Sequence, residues 1–232
     1  MLTLRKSAER GAGNHGWLQS HHTFSFAGYF DPKHMNFRSL RVINEDHIQQ
    51  GRGFGLHPHD NMEILTYVVR GHLAHKDTAG HEAVVGRGGV QFMSAGSGIA
   101  HSEYNASRTD PVHLLQIWIL PAEQDTEPRY QDRTFDETLD GGGLVPLASP
   151  DGRGGSIRIG QDVVLSAARP AAGAEFEVPL APGRAAWIQV ISGCLTVHGQ
   201  SLAAGDALAV EDEAVVRMVA ETAGEFLLFD LA

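Results

Sequence analysis

Short apolar runs separated by glycine-rich segments dominate the first half of the chain. The runs are rich in Val, Ile, Leu, Phe and Tyr, and long amphipathic helices are scarce. Turn residues such as Arg70-Gly71 and Thr78-Ala79-Gly80 stand between them, as is typical of short strands joined by turns. The pattern predicts an all-β fold, a sandwich or a barrel, with its clearest strands at 40–43, 62–69, 83–85, 90–93 and 112–119.

The second half of the chain repeats features of the first. Segments 67–77 and 189–199 both have the pattern strand, glycine turn, strand, and segment 113–120 has a shorter counterpart at 225–231. Between the halves, segment 121–143 is polar and acidic and contains two prolines and three consecutive glycines, which predicts a boundary there. Twelve of the thirteen histidines lie at or before His113. Two copies of one β-domain would therefore keep a metal site only in the first.

Two short strings, His57-Pro58-His59 and His101-Ser102-Glu103, each place two metal-binding side chains two residues apart. In an extended strand such residues point to the same face, about 6.6 to 6.8 Å apart. If the two strands pair in an antiparallel sheet, three imidazoles and one carboxylate meet at one point, a set that suits iron, copper, nickel, manganese or zinc. Four protein ligands leave an octahedral metal two open positions, which favours catalysis over a purely structural role.

The composition narrows the classes of partner. The net charge of −10 and the pI near 5.6 argue against direct binding to nucleic acid or to an anionic membrane, because both need clustered Lys and Arg. The lone cysteine, Cys194, cannot form an intramolecular disulfide. The first ten residues lack an apolar signal region, and no apolar run approaches the length of a membrane span. We therefore expect a protein of the cytoplasm with no transmembrane helix.

Several other polar residues have ordinary structural interpretations. Glu63 is interpreted as structural, and Asn105 is expected to hold a turn through its side chain. The histidines expected at the surface or in packing roles are His72, His75, His81 and His113. The residues His21, His22, Phe24 and Phe26 alternate as in a half-buried strand, and they are also candidates for lining a cavity.

Longer motifs around the two strings resemble those of the cupins. The first runs from Gly51 through His57-Pro58-His59 to Glu63 and Gly71, and the second covers 98–105. Two departures, the seven residues between Glu63 and Gly71 and the glycine at position 96 where a proline is usual, match one branch of cupins, the pirin family. Segments 21–29, 40–46 and 91–105 are similar to further pirin signatures. The resemblance covers nearly all of residues 15–120.

The resemblance implies a bicupin, with two β-barrel domains of the double-stranded β-helix or jelly-roll type packed face to face. The first, 1–125, would bind metal, and the second, 126–232, would be a metal-free cupin-like domain. The implied ligands of one divalent transition metal ion are His57, His59, His101 and Glu103. Iron is the first choice, and copper, nickel, manganese, cobalt and zinc remain open. Asp60 stands where the family often has a basic residue, so the charge at the cavity mouth departs from the family pattern.

The chain length is similar to that of bacterial pirins with quercetinase activity. This resemblance implies a quercetin 2,3-dioxygenase type of enzyme, in which a flavonol-like aromatic substrate reacts with dioxygen and carbon monoxide is released. Glu103 would be catalytic, as the acceptor of a substrate proton. One alternative is a non-enzymatic, metal-dependent regulatory role through a protein partner. The other is a cupin isomerase or hydrolase that uses zinc as a Lewis acid on another substrate.

Overall fold

Strands form most of this protein. The computed structural model describes Met1–Ala232, with 55% of the residues in strands and 4% in helices. The prediction of an all-β fold is therefore confirmed. None of the helices is long and apolar enough to cross a membrane.

The chain contains 22 strands and three short helical segments. In chain order the strands are β1 (Leu2–Arg5), β2 (Gly11–Asn14), β3 (Leu18–His22), β4 (Leu40–Ile48), β5 (Gly53–His59), β6 (Glu63–Arg70), β7 (Leu73–Asp77), β8 (Glu82–Val85), β9 (Gly89–Ser94), β10 (Ile99–Asn105), β11 (Val112–Ile119), β12 (Arg129–Thr134), β13 (Val145–Ser149), β14 (Ile157–Arg158), β15 (Val163–Ala168), β16 (Glu175–Pro179), β17 (Ala185–Ser192), β18 (Cys194–Val197), β19 (Gln200–Ala203), β20 (Ala207–Val210), β21 (Val215–Ala220) and β22 (Glu225–Leu231). The helical segments are the α-helix Asp136–Leu139 and the 3-10 helices Ser7–Glu9 and Arg153–Gly155.

The strands differ in how they meet the core: β6 and β9 are buried along most or all of their length, whereas β10 alternates. In β10 every second residue from Ile99 to Asn105 is buried and the residues between them are not, so one face of the strand meets the core. The five strands predicted from the sequence are all present, as β4, β6, β8, β9 and β11, with somewhat different ends. Segment 121–143, predicted to be a boundary, contains β12, which pairs with β9.

One compact unit comprises Gly11–Asp136. It has a seven-stranded sheet in the order β12-β9-β6-β11-β4-β3-β2 and a four-stranded sheet in the order β5-β10-β7-β8. Apolar side chains from both sheets share one core, in which Leu73 and Val85 of the small sheet pack with Val68 and Leu114 of the large one. The small sheet contains both strands that carry the predicted metal ligands.

The other compact unit comprises Met1–Arg10 and Glu137–Ala232. Its sheets have the orders β1-β20-β17-β22-β15-β13-β14 and β16-β21-β18-β19. Strands β15 to β22 therefore occupy the same places as β4 to β11 in the first unit, which confirms the internal repeat. Equivalent turns contain Gly71 (φ +84°) and Gly193 (φ +79°), and both glycines adopt the left-handed conformation that other residues disfavour.

The two units differ from the predicted domains, 1–125 and 126–232, at residues 1–10 and at residues 126–136. Met1–Arg10 belong with the second half, because β1 pairs with β20 from Leu2 opposite Val210 to Arg5 opposite Ala207. Residues 126–136 belong with the first half, because β12 extends the sheet at β9. Hydrogen bonding at the edges of the sheets decides both assignments, and such pairing joins residues that are far apart in the sequence.

Candidate metal centre

Three of the four predicted ligands meet on the small sheet of the first unit. Strands β5 and β10 are antiparallel, with His57 opposite His101 and His59 opposite Ile99. The three imidazole rings have centroids 4.5 to 5.0 Å apart, and one nitrogen from each ring lies within 4.8 Å of the other two. The three imidazoles therefore converge at one place, and the fourth expected ligand, Glu103, is not part of this group.

The hydrogen bonds of these histidines leave nitrogens available for a metal. The Nδ1–H of His57 can donate to the carbonyl oxygen of Gly55 at 2.7 Å, which leaves Nε2 with its lone pair. The Nε2 of His101 is buried and has no hydrogen-bond partner. A buried nitrogen without a partner is costly unless it has another ligand. The donor set therefore fits a divalent transition metal.

The charge states of the histidines also suit a cation. Burial, with a further contribution from His57, lowers the pKa of His59 to about 4. Burial together with His57, His59 and His75 lowers the pKa of His101 to about 3. Both rings are therefore neutral at pH 7, and the neutral imidazole is the form that binds metal.

Glu103 lies beside His101 but outside the group that the three histidines form. With His101 and His75 it forms a second group of three, whose ligand atoms lie within 4.8 Å of one another. The pairing of β10 with β5 shifts between His101 and Glu103, so Glu103 lies opposite Phe54. Its place as a fourth ligand stays a prediction.

The carboxyl group of Glu103 is fully buried and held by three donors. Oε1 accepts hydrogen bonds from Thr66 Oγ1 at 3.3 Å and from Gln91 Nε2, and Oε2 accepts one from Gln116 Nε2 at 2.7 Å. Burial raises the pKa of Glu103 to about 7, and the three hydrogen bonds offset part of that effect. These contacts leave the side chain little freedom to rotate.

His75 was expected at the surface or in a packing role, but it contacts His101 of the three-histidine group. It is buried on β7, and its Nδ1 lies 3.4 Å from Nδ1 of His101. Its Nε2 lies 3.2 Å from Oδ2 of Asp77. The sequence contained one signal for this pair, since His75 and Asp77 are spaced by two in a predicted strand-turn-strand segment. The spacing does not reveal that β7 pairs with β10, because that pairing is decided by the tertiary structure.

A cavity of about 470 Å³ lies next to the histidines. His57 and His59 form part of its wall, and its other aromatic and polar side chains are Trp17, Phe26, Phe54, Trp118, His15, Ser20, His22, Asn44, Asp46 and Gln116. Of the sequence candidates for a cavity lining, His22 and Phe26 are in the wall, and His21 and Phe24 are not. Trp118 packs edge-on against His59 at 5.0 Å and against Phe26 at 5.3 Å.

Two further residues occupy the structural places expected of them. Glu63 is 1% exposed and lies 4.0 Å from Arg129, so it is part of the packed structure. Asn105 Nδ2 donates to the Asp110 carbonyl at 2.8 Å, and Asn105 Oδ1 accepts from the Ser107 amide at 2.9 Å. These bonds hold the turn after β10, as predicted.

The equivalent strands of the second unit carry an apolar core. Strands β16 and β21 correspond to β5 and β10 by their order in the sheet. Val216 and Met218 of β21 are buried, and Phe176 and Val178 of β16 pack against the same cluster. Apolar side chains thus occupy the positions where the first unit has histidines.

Comparison with known proteins identifies the family. The family model for Pirin matches residues 3–119, and the model for the quercetinase C-terminal cupin domain matches residues 146–231. A protein of Escherichia coli strain K12 named quercetin 2,3-dioxygenase is 48% identical over 231 residues, which cover 100% of this chain and 99% of that protein.

Solved structures agree with these matches. The crystal structure of YhhW from Escherichia coli superposes with a TM-score of 0.96 at 47% identity, covering 100% of this chain and 98% of that one. The bacterial pirin YhhW in complex with nickel(II) superposes with a TM-score of 0.95, also at 47% identity, covering 100% of this chain and 99% of that one. Two family models, a full-length relative and a matching bicupin fold lead to one conclusion: the chain belongs to the pirin family.

Proposed function

We propose that this protein is a metal-dependent dioxygenase that cleaves a flavonol such as quercetin, as the name of its Escherichia coli relative suggests. The observation that carries the proposal is the buried Nε2 of His101, which has no protein partner and belongs to a group of three histidines. Two of these histidines line a cavity of about 470 Å³, within the range of about 300 to 1,000 Å³ that small-molecule sites occupy.

The residues that would hold the metal are His57, His59 and His101, with Glu103 as a fourth ligand. A bound divalent metal would supply a Lewis acid for a phenolic oxygen and, where it is redox-active, a path for electrons from the bound flavonol to dioxygen. Nickel is supported by the nickel complex of YhhW. Iron, the first choice from the sequence, stays a prediction, as does a location in the cytoplasm.

The protein side chains have three roles in this proposal. The aromatic wall, which includes Phe26 and Trp118, packs against a flat, largely apolar ligand and excludes water from it. The Glu103 carboxylate accepts the proton of the reacting hydroxyl group. Thr66, Gln91 and Gln116 orient that carboxylate through their hydrogen bonds.

The test is turnover of quercetin by protein that is stripped of metal and then reloaded. Separate samples receive iron, copper, nickel, manganese, cobalt or zinc, and oxygen consumption is followed together with the loss of the flavonol absorbance band. We expect turnover with at least one redox-capable metal, and a loss of about 10²- to 10⁴-fold in the Glu103→Gln variant. Glu45→Gln is the control, because Glu45 pairs with His113 rather than with the centre.

Absence of turnover with every metal that binds would contradict the proposal. Activity toward another substrate with zinc would then indicate a Lewis-acid cupin enzyme. Loss of affinity for a protein partner in the His101→Ala variant, without turnover of any phenol, would indicate the regulatory role instead.

A further inference from the structure

A row of three polar side chains continues from the histidine group into the protein interior. His101 Nδ1 lies 3.4 Å from His75 Nδ1, and His75 Nε2 lies 3.2 Å from Asp77 Oδ2. His101 is 1% exposed, and the side chains of His75 and Asp77 are fully buried. The row ends at His101 Nε2, the buried nitrogen that has no partner.

The positions of the protons in this row follow from Asp77, the residue at its inner end. A carboxylate only accepts hydrogen bonds, so the contact with Asp77 needs the proton of His75 on Nε2. The Nδ1 of a neutral His75 then carries a lone pair. The contact between the two Nδ1 atoms needs one donor and one acceptor, so the proton of His101 lies on Nδ1. The lone pair of His101 is thereby placed on Nε2.

We infer that Asp77 and His75 are positioning residues that hold His101 in the Nδ1–H tautomer, so that its Nε2 can bind the metal. The inference rests on the proposed metal centre for its purpose, and on the contacts of the row for the tautomer. A second ring nitrogen that donates to a fixed acceptor is a general means of orienting a metal-binding histidine. Here the acceptor is another histidine, which a buried carboxylate orients in turn.

The carboxylate of Asp77 is itself held in one orientation. Its Oδ1 accepts hydrogen bonds from the backbone amides of Ala79 at 2.9 Å and His81 at 3.0 Å. Its Oδ2 faces Nε2 of His75 at 3.2 Å and Nδ1 of His81 at 3.0 Å. Because the backbone amides only donate, the atom at the Oδ1 position must remain an acceptor.

This constraint makes Asp77→Asn a direct test. The amide oxygen must take the Oδ1 position to accept from Ala79 and His81, so the NH₂ group must take the Oδ2 position and donate toward His75. His75 Nε2 would then become an acceptor and Nδ1 a donor. The proton of His101 would move to Nε2, the atom that faces the metal site. The size and shape of the side chain at position 77 would hardly change.

Two measurements report the effect of Asp77→Asn on the His101 tautomer and on metal binding. The nitrogen-15 chemical shifts of the histidine rings in metal-free protein report which nitrogen carries the proton, and nickel(II) affinity is measured by competition with a chelating dye. We expect Nδ1–H at His101 in the wild type and Nε2–H in Asp77→Asn. The variant should bind nickel about 10- to 100-fold more weakly, the range found when partners of metal-binding histidines are removed.

Asp206→Asn is the matched control, since Asp206 is a buried carboxylate of the other unit that also accepts backbone hydrogen bonds, from Ser7 and Ala203. It should leave the His101 tautomer and nickel affinity unchanged. A second control removes the ring that relays the proton position. In protein that already carries His75→Asn, the further change Asp77→Asn should alter nickel affinity by less than about threefold. The reason is that His75 connects position 77 to His101, and the coupling between them is lost with it.

The inference is overturned if metal-free wild-type protein has His101 with its proton on Nε2, a result that needs no variant to fold. It is also overturned if Asp77→Asn keeps the Nδ1–H tautomer together with wild-type nickel affinity. A wild-type protein that has the expected tautomer but binds no nickel would contradict the metal centre and leave the orienting row intact. The two failures are therefore distinguishable.

Discussion

His57 and His101 lie directly opposite each other on β5 and β10, with their ring centroids 4.5 Å apart. This pairing brings together two strings that are more than forty residues apart in the chain. A slip of one residue in the register would turn His101 to the other face of the sheet. The site therefore depends on the backbone hydrogen bonds of β5 and β10 as much as on the histidines.

Replacement of His101 by alanine should abolish tight nickel binding. The substitution removes one of three converging imidazoles. We expect nickel affinity to fall by more than about 100-fold, which is more than the loss found when a hydrogen-bond partner of a metal ligand is removed. Titration of nickel(II) against a chelating dye measures the change. His113→Ala is the control, because His113 lies on β11 and pairs with Glu45 at 3.0 Å. Equal affinities of the two variants would contradict the site.

Alanine at position 53 should destabilise the first unit by about 1 to 3 kcal/mol, the usual cost of overpacking. A Cβ on Gly53 would lie 2.1 Å from the carbonyl oxygen of Glu103 and 2.5 Å from the Cα of Tyr104. These are backbone atoms of the paired strand β10, so β5 and β10 must move apart. Urea unfolding of the metal-free protein measures the effect.

Gly55→Ala on the same strand is the matched control for this substitution. A Cβ there meets only Tyr104 Oη at 3.7 Å, an ordinary contact, and the unfolding free energy should change by less than about 0.5 kcal/mol. If both alanine variants unfold at the same urea concentration, the close approach of the strands at Gly53 is not a constraint.

Truncation of Phe26 should weaken substrate binding more than it slows turnover. Phe26 is half-buried in the cavity wall, where it contacts the edge of Trp118. Loss of its apolar surface should raise the KM for quercetin about tenfold, as about 1.4 kcal/mol of lost burial predicts, with a smaller change in kcat. Steady-state kinetics of Phe26→Ala beside Phe30→Ala decide this, since Phe30 is 73% exposed. A change confined to kcat would contradict the assignment.

Asp46 should make the stability of the metal-free protein depend on pH. Burial raises the pKa of Asp46 from 3.8 to about 6, against the lowering effect of a hydrogen bond with Ser20. The folded protein therefore holds this proton more tightly than the unfolded chain does. The resulting stabilisation is complete below about pH 4 and is lost as the pH rises through about 6.

Asp46→Asn, which has no charge to bury, should be more stable than the wild type at pH 7.5 by about 1 to 3 kcal/mol. This advantage should shrink as the pH falls toward 4. Unfolding curves at several pH values measure the difference. Asp151→Asn is the control, because hydrogen bonds from Arg153 and Ser149 lower the pKa of Asp151 to about 2, so its effect should be constant above about pH 5. A pH-independent difference for Asp46→Asn would contradict the prediction.

Local patterns in the sequence determined much of this protein. Short apolar runs bounded by glycine-rich turns are local features of the sequence, so the strands β4, β6, β8, β9 and β11 were predictable. The period of two along a strand makes His57 and His59 share a face. The internal repeat was also visible, because each copy keeps a glycine, Gly71 or Gly193, at the turn where φ is positive.

Tertiary structure decided which strands became neighbours. The pairing of β1 with β20 moved Met1–Arg10 into the second unit, and the pairing of β7 with β10 brought His75 and Asp77 behind His101. Nor did the sequence reveal that Asp46 would be buried in the wall of the cavity. Each of these outcomes depends on hydrogen bonds and contacts between distant segments, and such contacts leave no periodic signal in any one segment. The sequence therefore determined the strands and the ligand strings, and packing decided what surrounds them.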